Sequence, residues 1–256
     1  MKKTKKILSF VLCIALVLSN FTFADNGSDL KGNWAENQIN SWIAKGYVRG
    51  FDDGSFKPNN AISRIEFVIL INKAFGFTET EAINFKDVRE NDWFYNEVSK
   101  AKKAGYITGQ NDGTFNPNGK ITRQEAAVIL SKLFKLQTTP NTEVLASLKD
   151  AGSIPSWSSG SIGAVISKGY MQGMPDKSFL PSKTMTRAEA IVALDRCYLD
   201  YVKVAYEKAG VYTAGTVDGS LEIKSADVTL QDTIINGNLI ISESVGDGNL
   251  NLKNVT

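Results

Sequence analysis

Apolar positions along the chain fall into a recurring order: a short amphipathic stretch, a turn, then a denser apolar run. In the first passage Trp34, Ile39 and Ile43 sit roughly on one helical face, predicting a helix that starts near the Trp. Gly46, Gly105 and Gly169 are well placed to end such helices. A loop follows, Val48 to Phe56 or Ile107 to Phe115, with Asp-Gly as a tight-turn signal. The third passage has Asp176-Lys177, with Lys where Gly stood, which weakens the turn. Second helices then carry Phe67-Val68-Ile69-Leu70-Ile71 and Ala126-Ala127-Val128-Ile129-Leu130. They are apolar around much of their girth and predict a shared core, since one unit of about 50 residues could scarcely bury enough surface alone.

The order is a true repeat. Trp34, Trp93 and Trp157 lie 59 and 64 residues apart. The same two steps align Gly46-Tyr47 with Gly105-Tyr106 and Gly169-Tyr170, and also Phe56, Phe115 and Phe179. They align Pro58, Pro117 and Pro181, then Arg64, Arg123 and Arg187. The longer second step fits a polar linker around Gln137–Glu143. Each second helix opens on a capping box: Ser63 with Glu66, Thr122 with Glu125, Thr186 with Glu189. The copies are expected over residues 25–80, 81–139 and 140–209, the last with a long final helix because residues 187–209 hold no Pro and no Gly.

The pattern changes over residues 210–256. Gly219-Ser220-Leu221-Glu222-Ile223, Gly237-Asn238-Leu239-Ile240-Ile241 and Gly248-Asn249-Leu250-Asn251-Leu252 share one form, and Val228-Thr229-Leu230 alternates. Short strands with Gly and Asn turns read as all-β. They look like the opening coils of a right-handed parallel β-helix, incomplete at Thr256; the alternative is a small β-hairpin appendage.

Residues 1–24 read as a secretory signal, with Lys2, Lys3, Lys5 and Lys6, an apolar run Ile7–Leu18 and a small-residue site at Thr22-Phe23-Ala24. That run is short for a membrane span of about 20 residues, and no later stretch could span a bilayer. Without the signal the chain has 25 basic and 27 acidic residues, a net charge of −2, which does not suit a nucleic-acid binder. Cys13 belongs to the signal, so Cys197 stands alone and reads as a small buried residue on a helix. There is no His, which removes Ser-His-Asp and Cys-His pairs and His-bearing zinc sites, while carboxylate chemistry remains open.

The capping boxes do not account for Arg64, Arg123 and Arg187. A cation in a first turn opposes the helix dipole, at about 0.3–1 kcal/mol when exposed. Either each Arg pairs with a nearby carboxylate, such as the Asp of the preceding turn, or Arg and free helix N–H groups together face an anionic ligand. On the second reading, replacing Arg costs affinity and little stability. Trp34, Trp93 and Trp157 are either core residues or partly exposed indoles able to pack on a sugar ring. Asp52-Asp53-Gly54 and Asn111-Asp112-Gly113 lack the length and final Glu of a calcium loop, so no metal or cofactor is expected.

Trp at the start of each copy, Gly-Tyr-(Ile/Val/Met), Asp-Gly-(Ser/Thr)-Phe-x-Pro and (Ser/Thr)-Arg-x-Glu together resemble the S-layer homology domain, over roughly residues 29–198. This sequence departs from the pattern at Ser63, Ile65, Gln124 and Asp176-Lys177. The resemblance implies a mainly α, pseudo-threefold bundle whose inter-copy grooves bind secondary cell-wall polysaccharide, commonly with pyruvate ketals on N-acetylmannosamine. It assigns the pyruvyl carboxylate to Arg64, Arg123 and Arg187 and tips the arginines toward the ligand reading. The expected function is non-covalent anchoring of a secreted protein to a Gram-positive-type cell wall. The alternatives are a lattice-forming S-layer protein, with other S-layer subunits as partners, or the anchor module of a polysaccharide-acting enzyme. About 45 residues beyond the helices are too few for an independent catalytic domain, so this chain is not expected to be an enzyme.

Overall fold

A computed structural model describes residues 29–139 and 142–256, so the signal expected over residues 1–24 lies outside the described residues. Copy one supplies helices α1 (Glu36–Ala44) and α2 (Arg64–Phe75), and copy two supplies α3 (Tyr95–Lys103) and α4 (Arg123–Leu133). Copy three follows a short helix α5 (Thr142–Ala146) at the far end of the polar linker, and supplies α6 (Ser156–Ser167) and α7 (Arg187–Tyr201). Among the described residues no helix is long and apolar enough to cross a membrane.

Gly46, Gly105 and Gly169 take the left-handed conformation just past the first helices, as their sequence position predicts. All three capping boxes form: Ser63, Thr122 and Thr186 accept from the backbone of Glu66, Glu125 and Glu189, whose carboxylates accept from the cap backbone in return. The third turn keeps the geometry of the others at a cost, because Lys177 stands at φ +67° where Gly54 and Gly113 stand at +78° and +82°.

The expected face of α1 is corrected. Ala35, Ile39 and Trp42 are buried, whereas Trp34 is exposed and Ile43 half-buried. Trp42 takes the core position, and its indole Nε1 donates to Asp195 Oδ1 of α7 at 2.8 Å.

The copies interlock. Each first helix packs on the second helix of the preceding copy: α3 on α2, α6 on α4, and α1 on α7. At the centre Ile121 N donates to Ile62 O, Ile62 N to Met185 O and Met185 N to Ile121 O, at 2.9–3.1 Å, so three backbone bonds close a ring through all copies. The three helical pairs share one continuous core. Within it Cys197 is a fully buried free thiol, as its place on the helix predicts, and burial pushes its pKa up.

The final helix is shorter than expected. It ends at Tyr201, and Val202–Tyr206 forms strand β1. Absence of Pro and Gly permits a helix, but Val202, Val204 and Tyr206 alternate with exposed Lys203 and Ala205, a strand pattern that wins once a partner strand is present. Strands β2 (Gly210–Tyr212), β3 (Gly215–Val217), β4 (Ser220–Ile223), β5 (Val228–Ile235), β6 (Leu239–Ile241) and β7 (Leu250–Val255) follow. One sheet runs β1-β4-β6; in the other β5 pairs β2, β3 and β7. Every pairing is parallel, which rules out the hairpin alternative. Leu221 lies against Leu239 and Val228 against Leu250, and Leu221, Ile223, Val228 and Leu230 are fully buried between the sheets.

Candidate binding grooves

The helix starts do not offer free N–H groups. Arg64 N donates to Gly119 O and Ile65 N to Pro117 O; Arg123 N donates to Lys183 O and Gln124 N to Pro181 O. Arg187 N donates to Asn60 O and Ala188 N to Pro58 O. The cap hydroxyls accept the next N–H. Carbonyls from a neighbouring copy thus consume the donors that an anion would need, and the expectation of backbone anion binding at these termini is corrected. The recurring prolines are explained at the same time, since their carbonyls are the acceptors.

The arginine side chains also reach across copies. Arg64 pairs with Glu125 of copy two. Arg187 Nη1 lies 3.6 Å from Glu66 of copy one, while its Nε and Nη2 donate to Phe56 O and Arg49 O at 3.1 Å. Arg123 donates to Phe179 O at 2.7 Å and Gln172 O at 2.6 Å. The Asp of the preceding turn is not the partner of any of them: Asp53, Asp112 and Asp176 are bound by Ser55, Thr114 and Ser178 of their own turns. Burial pulls the pKa of Arg123 and Arg187 down, opposed by Glu189 and Glu66 respectively. At 5% and 8% exposure these two are floor elements rather than surface cations.

The tryptophans are exposed, at 62% for Trp34, 73% for Trp93 and 57% for Trp157, so the core reading fails for all three. Two grooves bring them together with arginines. A hollow of about 500 Å3 is lined by the copy-one loop around Phe51, by Glu66 and Lys73 of α2, by Trp93 and by Arg187. A hollow of about 590 Å3 is lined by the copy-two loop around Gln110, by Glu125 and Lys132 of α4, by Trp157 and by Arg64. Each groove therefore draws its loop from one copy, its Trp from the next and its Arg from the remaining one. Arg123 and Trp34 hold the matching positions for the copy-three loop.

Sequence reasoning missed a second basic residue in each second helix, nine positions after the Arg: Lys73, Lys132 and Arg196. Lys132 Nζ donates to Thr108 Oγ1 at 2.9 Å, with its pKa lowered by burial and by Lys102. Arg196 is tied to Gln172 Oε1 at 3.1 Å. Its own 59- and 64-residue spacing was the available signal. Sequence reasoning also missed Asp29, Asp87 and Asp150, each of which accepts two backbone N–H groups at the end of its loop, Phe56 and Lys57, Phe115 and Asn116, Phe179 and Leu180.

The family model for the S-layer homology domain matches residues 28–68, 84–127 and 147–191, together half of the chain. The chain belongs to that family. Among its relatives, it is 34% identical over 168 residues to the exoglucanase XynX of Acetivibrio thermocellus, covering 64% of this chain and 15% of that protein. It is 33% identical over 159 residues to the cellulosome-anchoring protein of the same organism, covering 59% and 35%. It is 29% identical over 214 residues to the S-layer protein EA1 of Bacillus anthracis, covering 78% and 24%. The matched region spans about a third or less of each of these relatives.

Proposed function

We propose that this protein anchors itself non-covalently to the bacterial cell wall by holding an anionic, pyruvylated secondary cell-wall polysaccharide in grooves between its copies. The observation that carries the reading is the convergence of Arg, Trp and a Lys-bearing helix from three different copies on one groove, twice over. An exposed indole offers a face for a sugar ring, the cations supply the field for a carboxylate, and the loop amides supply hydrogen bonds. Lys73 and Lys132 are the more accessible cations, with Arg187 and Arg64 holding the floor. The cyclic contacts support a pseudo-threefold bundle, and the stacked parallel pairings, spaced 17 to 22 residues apart, support a β-helix for the segment from Val202 onward. A surface-exposed setting on a Gram-positive-type wall fits relatives named as S-layer and anchoring proteins.

Co-sedimentation with purified cell-wall sacculi tests this. The protein should pellet with native sacculi and stay in solution after mild acid removes the ketal groups. Equal retention on both would overturn the pyruvyl reading, and no retention on either would overturn wall anchoring.

A further inference from the structure

The β segment is seated on the helical unit. Asn238 Nδ2 donates to Phe75 O at 3.1 Å, and Ile240 is buried in the helical core. The seam holds a cleft of about 500 Å3, with Lys45 at the end of α1, Lys73 on α2, and Asn238, Ile241 and Ser242 around β6. Lys73 also lines the copy-one groove, so the two hollows share a wall.

The charges of this seam are sorted. The acid on the β side, Glu222, is 1% exposed; it accepts from Ser242 Oγ at 2.6 Å and has Lys224 Nζ at 3.7 Å. Lys45 and Lys73 take part in no ion pair among the described residues. The ammonium of Lys45 rests 4.3 Å from the Tyr198 ring centroid, which fixes it at the wall within the field of Glu222, Asp195 and Glu207 while it forms an ion pair with none of them.

We infer that the seam cleft is a second saccharide subsite, which takes the next anionic unit of the same polymer whose first unit occupies the copy-one groove. The inference rests on the proposed wall-polymer reading. Lys73 is the step between the units, Lys45 meets the second anionic group, and Asn238 and Ser242 meet the ring hydroxyls. The β segment is thereby part of the wall-binding surface.

Calorimetric titration of the full chain tests this with two probes, a single ketal-bearing monosaccharide and the intact polysaccharide released from sacculi. Lys45→Gln should weaken polysaccharide binding about tenfold, the low end for a contact to a charged group, and leave monosaccharide affinity unchanged. Ile241→Glu, at an exposed rim position that perturbs no core, should weaken polysaccharide binding in the same selective way. It carries the test if the Lys45 variant melts early. Unchanged polysaccharide affinity in the folded variants, or an equal loss for both probes, overturns the seam subsite and leaves the groove reading standing. Failure of the unaltered chain to bind the monosaccharide overturns the groove reading and the seam subsite with it.

Discussion

Arg187 Nε donates to the carbonyl oxygen of Phe56 at 3.1 Å, joining the third copy to the first across 131 residues of sequence. The same side chain donates to Arg49 O, so one guanidinium pins both ends of the copy-one loop. A residue so placed serves folding and the groove at once.

Replacing Arg187 by Ala should therefore lower both stability and polymer affinity. The buried Phe56 carbonyl and the partly buried Arg49 carbonyl lose a charged donor, and the loss should be about 3 kcal/mol, in the range for such bonds. Arg187→Lys should recover part of it, because a point charge cannot replace the planar fork. Denaturant unfolding and calorimetric affinity on the same variants check this. Intact stability with lost affinity would restore the purely ligand-facing role that the sequence suggested.

Lys177 is the single turn residue at which copy three departs from Gly, and it holds a left-handed backbone. Lys177→Gly should raise stability by about 0.5–1 kcal/mol through relief of that strain. The reverse change in copy two, Gly113→Lys, should lower it by a similar amount, more because an added Cβ would stand 3.3 Å from Lys86 Cε. Thermal melts of both variants check the pair; a lower melting temperature for Lys177→Gly would refute the strain.

The loop carboxylates set an acid limit. Asp53 is held below the usual carboxylate range by Lys57 and then Ser55, Asp112 by Thr114, and Asp176 by Ser178. Asp200 is held down by Tyr170 and Lys203. In each case the folded pKa lies below the unfolded one, so the unfolded chain binds more protons in acid. The contribution is present above about pH 4 and is lost as pH falls through the depressed folded values. Melting temperature should stay flat from neutral pH to about 5 and fall below 4. Because Asp53, Asp112 and Asp176 are exposed, salt should shrink the effect. Constant stability down to pH 3 would contradict it.

The repeat, the capping boxes and the helix-ending glycines were legible because one residue type at one spacing serves each, and local backbone chemistry demands it. The exposed face of the tryptophans was not, since indole at a helix start satisfies either burial or exposure. The partners of the arginines lie 49 to 138 residues away and are mostly backbone carbonyls, which carry no sequence signature. The loop-clamping aspartates escaped for another reason: Asp29, Asp87 and Asp150 precede their Trp by five, six and seven residues, so no single offset aligns them. The end of α7 was missed because helix permission and strand preference overlap over Val202–Tyr206, and only pairing with Ser220–Ile223 decides between them.

That same junction yields a test of how far the two regions depend on each other. Val202 and Ile240 from the β segment pack against the helical core, beside Tyr201 and Phe75, whose rings stand 5.1 Å apart. Tyr47 and Tyr198 share a hydroxyl hydrogen bond at 2.9 Å close to this seam. Shortening the chain to end at Tyr201 should uncover that aromatic cluster. The helical unit should then melt several degrees lower and bind a hydrophobic dye. In the full chain, Ile240→Ala should cost about 2 kcal/mol, the lower end for an aliphatic residue truncated in a core, because Ile240 lies at the edge of this one. The two variants together separate packing from mere tethering. A shortened chain that melts with the full one, and an Ile240→Ala variant within experimental error of it, would mean that the β segment rides on the bundle without supporting it. A matched loss in both would make the seam part of one folding unit, which is the state the shared core predicts.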